Sequence, residues 1–245
     1  MFSLIKKRAY LKDLIIDNYT DIHSHILPGI DDGARDEADS LFLVNELVKI
    51  GFARAITTPH VMHSVWDNTR SGIEGKLSAT KKFLNGSKTE MPLAAAAEYL
   101  LDNNFVKLFN EEPLLTVKDQ YVLVEMSYLN PPIQLYHIIF EMQVSGYKPI
   151  LAHPERYLFF HNNFEEYAKL KHAGCLFQLN LLSVVGYYGI AVAETAKKLL
   201  DKGFIDFTGS DVHHENHITA FERRITIKDV KPLQAAMTNN QMFQF

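Results

Sequence analysis

Short apolar and β-branched runs alternate along the chain with longer segments whose apolar residues recur every three or four positions. The runs are Tyr19–Ile22, Ala53–Thr57, Leu93–Ala97, Tyr121–Val124, Pro149–Ala152, Leu176–Leu179 and Phe204–Thr208. Several are almost continuously apolar, as strands are when both faces of a parallel sheet are covered. Between them, Leu41, Val44 and Val48 predict a helix stopped at Gly51. Pro131 and Pro132 open a second around Leu135, Ile138, Ile139 and Met142, closed by Gly146, and Ala193, Ala196, Leu199 and Leu200 mark a third before Gly203. The more polar stretch 68–89 is predicted to hold another from Ile73 to Leu84. Seven strands alternating with helices predict an α/β fold, and right-handed crossovers close most simply into a (β/α)7 TIM-like barrel. The expected organisation is one domain, with an N-terminal amphipathic extension at 1–18, the barrel at 19–217 and a closing segment at 218–245.

Polar residues gather at the ends of these runs. His23 and His25 follow the first run within DIHSHILPGIDDG, and Asp32 lies shortly beyond. Side chains two apart on an extended segment point the same way, so the two imidazoles can clamp one ion. The second run leads to His60, the third to Glu98, the fourth to Glu125 and the fifth to His153; the sixth ends at Asn180, and the last leads to Asp211 and His213. The C-terminal rim of a β/α barrel is where active sites are built, whereas incidental polar residues would scatter over both ends. Five histidines and four carboxylates without a thiolate suit manganese, iron, zinc or cobalt, with magnesium also open, and a carboxylate such as Glu98 can bridge two ions. Arg156, three residues after His153, has the guanidinium fork suited to a phosphate. His137, His161, His172 and His214 lack any such pattern and are read as ordinary polar residues; Asp31 is read as a turn residue, and Ser210 as a small residue packing behind the ligands.

Composition narrows the chemistry by exclusion. A net charge of −4 and the lack of a basic stripe argue against nucleic acid. The single cysteine rules out an intrachain disulfide, no signal-peptide pattern opens the chain, and no run approaches a membrane span, so a cytoplasmic protein is expected. Leu181 stands six positions after Cys175, so the C-x5-R loop of cysteine phosphatases is absent, as are a G-x-S-x-G elbow and a P-loop.

Taken together, DIHSHILPGIDDGA, ITTPH, AAAEYLL, HPERY and GSDVHH resemble the PHP (polymerase and histidinol phosphatase) superfamily, above all its CpsB/YwqE-type bacterial protein-tyrosine phosphatases. The likeness runs from about residue 19 to 214, with the motifs in the family's order and spacing. It implies a distorted PHP barrel with two to three divalent ions, often manganese. It places His23, His25, Glu98 and Asp211 on the first ion, bridging Glu98 with Glu125 and His153 on the second, and Asp32, His60 and His213 on the third. Arg156 matches the family's phosphate-binding arginine. Another arginine often follows the last motif in the family; here HENHITAFERR leaves His217, Arg223 or Arg224 to substitute. The implied reaction is attack of a metal-bridging hydroxide on protein phosphotyrosine, the substrate being a bacterial tyrosine kinase of capsule or exopolysaccharide export. Tyr128 and Tyr157, with Phe159, Tyr187 and Tyr188, are candidates for a slot around the aromatic ring, and His63 for a proton donor. The alternatives are a histidinol-phosphate-type small-molecule phosphatase, a nuclease disfavoured by the charge, and a non-catalytic regulator that binds a phosphorylated partner. The amphipathic opening segment is expected either to form a subunit contact in a homo-oligomer or to cover the barrel floor.

Overall fold

Strand follows helix along the chain because each run is bounded by residues that cap helices or cannot extend strands. The computed structural model describes residues 8–87 and 90–245. The first seven residues of the expected extension lie outside the described residues. Of the remainder, Leu11 and Leu14 are buried, and residues 9–12 hydrogen-bond to 221–225. In order come β1 (Tyr19–Asp21), α1 (Glu37–Ile50), β2 (Phe52–Thr57), β3 (His60–Val61), α2 (Arg70–Leu84), β4 (Leu93–Ala95), β5 (Glu98–Leu100) and α3 (Asn103–Glu111). There follow β6 (Tyr121–Glu125), α4 (Leu135–Val144), β7 (Lys148–Ala152), α5 (Glu165–His172), β8 (Leu176–Asn180), α6 (Ile190–Asp201), β9 (Phe207–Gly209), α7 (Glu215–Ala220) and α8 (Lys231–Asn239).

Local chemistry explains the starts. Asp36 caps α1 by accepting from the Asp39 amide, Thr69 caps α2, and Asp102 accepts from the amides of Asn104 and Phe105 to start α3. The apolar face of α1 centres on Leu43, Val44 and Leu47 rather than on Leu41 and Val48, because the helix packs over β2 and between α2 and α7.

All pairings between strands are parallel, in the orders β1-β2-β4 and β3-β5-β6-β7-β8-β9. Two strands are broken in mid-course. The chain passes from β2 to β3 through Thr58 and Pro59, and from β4 to β5 through Ala96 and Ala97. Proline has no N–H to give the ladder. The carbonyls of Thr57 and Pro59 instead accept from Ala96 and Glu98, so the two broken strands shift together. His60 and Glu98, expected at strand ends, therefore open the short continuations β3 and β5 and lie in register with each other. Joining each broken pair leaves seven staves, as the sequence predicts. A parallel bridge between Ser24 and Val212 closes the ring, with amide bonds from Asp211 to the His23 carbonyl (2.8 Å) and from His25 to the Val212 carbonyl (2.9 Å). The last strand starts at Phe207 rather than Phe204, because the amides of Gly203 and Phe204 still bond to Leu200 and Leu199 at the end of α6.

Ile22, Ile56, Leu123, Ile150 and Phe207 fill the barrel, and Phe243, in the turn after α8, plugs its floor with its ring 4.9 Å from Phe207 and 5.5 Å from Tyr121. Burying one such phenyl ring contributes about 1.5–3 kcal/mol. Larger apolar layers join the outside of the staves to the helices. No described helix is long and apolar enough to cross a membrane.

Candidate metal centre and phosphate pocket

β1 delivers His23 and His25 to the rim, fully buried and on the same side. Each ring is oriented from behind. The Gln178 amide N–H2 donates to the Leu179 carbonyl, which leaves its Oε1 to accept from His23 Nδ1 at 2.8 Å. Asp31 Oδ2 accepts from His25 Nδ1 at 2.8 Å. Both Nε2 lone pairs must then face inward, where they stand 3.3 Å apart. Glycine is required twice in this arrangement. A Cβ on Gly33 would lie 2.2 Å from the His25 carbonyl oxygen, and one on Gly209 would lie 2.6 Å from His23 Cβ. Asp31 is thus more than the turn residue expected from the sequence: it bonds Gly33 through one oxygen and orients a ring through the other.

Four interlocking donor groups result, the ligand atoms within each lying within 4.8 Å of one another: His25, Asp32, His60 and His213; His23, Glu98 and His153; His23, His25 and Asp211; and His60, Glu98 and Glu125. All nine expected side chains are included. Six are buried, His60 and His213 are half-buried, and Asp32 is exposed at the mouth. The groups cut across the partition implied by the resemblance: His25 also meets Asp32, His60 and His213, Glu98 and Glu125 meet His60, and His153 meets Glu98 and His23. Glu98 Oε2 lies 3.1 Å from His23 Nε2 and 3.2 Å from His60 Nδ1, and its Oε1 lies 3.0 Å from His153 Nε2. Asp32 Oδ1 is 3.4 Å from both His60 Nε2 and His213 Nε2.

These contacts are close but poorly paired. Glu98 Oε1, Glu125 Oε1 and His60 Nδ1 are buried without a hydrogen-bond partner, although His60 Nδ1 and Glu125 Oε1 are only 2.8 Å apart. A buried polar atom left unpaired costs about 1–3 kcal/mol. Donor atoms that crowd one centre without bonding each other fit bound cations, and the mixed imidazole–carboxylate set fits two or three divalent ions. Cys175 is packed in the apolar layer outside the sheet and contributes nothing here. Electrostatics agree. Burial alone would push His23 down, but Glu98 and Asp211 outweigh it and raise it to about 10; Glu98 and Asp211 are themselves held well below the carboxylate range by His23, against burial.

Two strand ends carry backbone strain. His153 (φ 38°) and Asp211 (φ 51°) occupy the left-handed region, which costs non-glycine residues about 1–3 kcal/mol and clusters at functional sites. Beside them, Arg156 donates to Asp211 Oδ2 at 2.8 Å, with its guanidinium 4.7 Å from the Tyr128 ring and 4.1 Å from the Tyr188 ring. Asn180 donates to the same Asp211 oxygen at 2.7 Å and to the Tyr188 hydroxyl at 3.0 Å. A cavity of about 220 Å³ opens here, lined among others by Asp32, His60, Arg156, Tyr188 and His217.

Other expected residues fall elsewhere. Tyr157 is fully buried, its hydroxyl accepting from the Met126 amide; it supports Tyr128 from behind and lines no slot. His63 faces Asp67 at 3.3 Å and lines a separate groove with Trp66 and Phe105. Arg224 stacks on Tyr10 and bonds the Arg8 carbonyl, held there by the strand-like bridge between residues 10 and 224. Arg223 is exposed and lies over Tyr187, away from the cavity lining. Sequence reasoning missed Gln178, whose position in the sixth strand, two residues before Asn180, was the one available signal. It also missed Glu155, buried beside His153, which accepts from Ser183 and the Asn180 amide. Ser210 does pack behind the ligands, donating to Asp21 Oδ2 at 2.5 Å.

Comparison with known proteins places this geometry. The family described as capsular polysaccharide synthesis, CpsB/CapC, matches residues 19–228. The chain belongs to that family. Tyrosine-protein phosphatase YwqE of Bacillus subtilis (strain 168) is 29% identical over 202 residues, 79% of this chain and 77% of that protein. Putative tyrosine-protein phosphatase CapC of Staphylococcus aureus is 26% identical over 194 residues, 79% and 76% of the two chains. Among solved structures, that of YwqE from Bacillus subtilis and CpsB from Streptococcus pneumoniae, described as unique metal-dependent tyrosine phosphatases, superimposes with a TM-score of 0.76 at 25% identity, covering 92% of this chain and 88% of that one. An amidohydrolase from Mycoplasma synoviae (TM-score 0.52, 12% identity, 97% and 91% covered) shares the fold alone. The stretch that carries the CpsB/CapC match contains all nine donor residues and Arg156; α8 and Phe243 lie beyond it.

Proposed function

We propose that this chain is a metal-dependent phosphatase that hydrolyses phosphotyrosine on a protein, its substrate being a tyrosine kinase of capsule or exopolysaccharide synthesis. The observation that carries this reading is the convergence of nine imidazole and carboxylate side chains on one rim, with Arg156 at the wall of the same cavity. Membership of the CpsB/CapC family and likeness to YwqE and CpsB support the substrate class. In this reading His23, His25, Asp32, His60, Glu98, Glu125, His153, Asp211 and His213 hold two to three divalent ions. Manganese is the first candidate, with iron, zinc, cobalt and magnesium as alternatives. The catalytic unit is 19–217, closed by 218–245.

Divalent ions held there would lower the pKa of a water molecule and offset charge on the phosphoryl oxygens. The chain does the rest. Gln178 and Asp31 keep the His23 and His25 lone pairs aimed inward, so little reorganisation remains when substrate arrives. Arg156 uses one N–H on Asp211 and keeps the rest of its fork for a phosphoryl oxygen. Tyr128 and Tyr188 stack on the guanidinium and fix its plane. Half-exposed Tyr128 also walls the mouth, where a substrate phenyl ring would stand.

The test compares a phosphotyrosine peptide with histidinol phosphate on manganese-loaded and chelated protein. Phosphate release from the peptide, stopped by chelation and restored by manganese, is the expected result. A preference for histidinol phosphate would make this a small-molecule enzyme, and peptide binding without phosphate release would make it a regulator.

A further inference from the structure

His217, on α7, lines the cavity beside Arg156, Asp211 and His213, and its hydrogen bonds fix which nitrogen carries its proton. Its Nδ1 lies 3.1 Å from the His213 amide N–H and 3.0 Å from the Asp211 carbonyl oxygen. That carbonyl already accepts from His213 Nδ1 at 2.9 Å, whereas the His213 N–H has no other acceptor among the described residues. Nδ1 of His217 is therefore the acceptor, and the ring proton sits on Nε2. Nε2 has no protein partner among the described residues, although the residue is almost fully buried. The ring itself is immobilised, edge-on to Tyr187 (5.0 Å) and His213 (5.4 Å) and tilted against His214 (4.1 Å). A rigid N–H donor with no partner, in the wall of an anion-sized cavity, is poised for an oxyanion.

We propose that His217 binds the phosphoryl group of the substrate through Nε2–H, as a second anchor beside Arg156. Arg223 and Arg224 do not compete for this role, being committed to Tyr187 and to the 8–10 segment. The proposal rests on the phosphatase reading for its substrate but concerns phosphate recognition itself, so the two fail separately.

The experiment exploits amide mimicry of imidazole. In His217→Asn the amide oxygen can replace Nδ1 as acceptor for the His213 N–H while the cavity donor is lost; in His217→Gln the amide nitrogen reaches further and can replace Nε2–H. Metal content is measured for both variants, so that a lost ion is not mistaken for a lost anchor. The Asn variant should raise KM for phosphotyrosine peptide and the inhibition constant of inorganic phosphate by about tenfold, with kcat changed less, and the Gln variant should recover much of both. A merely structural His217 gives the reverse order, Asn tolerated and Gln impaired, and that result overturns the proposal. Should the wild type release no phosphate from the peptide, direct titration of the metal-loaded proteins with inorganic phosphate makes the same comparison. Equal affinity in wild type and the Asn variant, or no phosphate binding by the wild type, also overturns it. Independently, long-range ¹H–¹⁵N spectra of ¹⁵N-histidine-labelled protein should show the Nε2–H tautomer for His217; an Nδ1–H pattern contradicts the assignment.

Discussion

The two ends of this barrel bury polar groups in opposite ways. At the floor, Asn240 is fully buried and fully used: its amide donates to the carbonyls of Thr20 (2.9 Å) and Thr208 (2.7 Å), and its oxygen accepts from the Thr208 amide (3.1 Å). At the rim, Glu98, Glu125 and His60 place buried atoms near one another without satisfying them, and His153 and Asp211 hold strained backbone. The Asn240 side chain is saturated within the fold, whereas the donor atoms of the rim are not. Saturated polar groups stabilise, whereas unsaturated ones mark where the fold gives up stability for chemistry.

Breaking the rim should cost activity and spare the fold. The largest effect is expected from His25→Ala, which removes a donor shared by two groups, or Asp211→Ala, which removes the carboxylate of the His23–His25 group. The turnover number should fall about a thousandfold or more, beyond the ten- to hundredfold typical of losing an outer partner, while the circular dichroism spectrum stays that of the wild type. Near-normal turnover in either variant contradicts the metal assignment. Arg156→Ala comes next, with kcat/KM down about a hundredfold and metal content unchanged; Arg156→Lys should recover only part, because an ammonium can neither fork nor stack in the same way. An unchanged kcat/KM removes the arginine from the mechanism.

Metal removal sharpens the contrast in another way. His23, raised to about 10 by Glu98 and Asp211 against burial, holds a proton in the metal-free protein where an ion would bind. Its unfolded value is about 6.5, so this charged form stabilises the metal-free fold fully below that pH, and the contribution is lost as pH rises through about 10. Chelated protein should therefore melt lower at pH 9 than at pH 6. Metal affinity should rise over the same window, with protons released on binding, which calorimetry in buffers of different ionisation enthalpy can count. No proton release would show that the rim does not hold its protons this way. The smallest effect on chemistry is expected at the floor. Asn240→Ala should lower unfolding free energy by about 1–3 kcal/mol in a urea titration and leave kcat within twofold. A large loss of activity there would mean that the two ends are not independent.

How far this was legible in the sequence depended on distance along the chain. The seven staves could be read because an apolar strand buried on both faces is a local pattern, and so could the side chains that gather at the rim, because all but Asp32 close such a run or stand just after it. Pro59 was visible, but not that its missing N–H would shift the third stave with the second, so His60 and Glu98 were expected at strand ends rather than at the start of the continuations β3 and β5. The helices α3, α5, α7 and α8 run for only nine, eight, six and nine residues, too short for an apolar repeat to recur often enough to be told from a loop. Tyr157 looked like a rim aromatic because its burial depends on Met126 and Tyr128, contacts made across the barrel wall. Gln178 and Asp31 escaped for the same reason: orienting a histidine requires proximity in space, and Gln178 lies 155 positions from His23.

The seam between the first and last staves has a consequence for how the protein is made. His23 and Asp211 come together across the hydrogen bonds that join the end of β1 to the end of β9. A ribosome must release nearly two hundred residues after the first histidine pair before the final carboxylate can join it. Contacts so remote in sequence form late, because the intervening chain must first be confined. Emerging fragments therefore carry only part of the donor set, and a protein interrupted before its ninth strand would be expected to fold incompletely and remain inert.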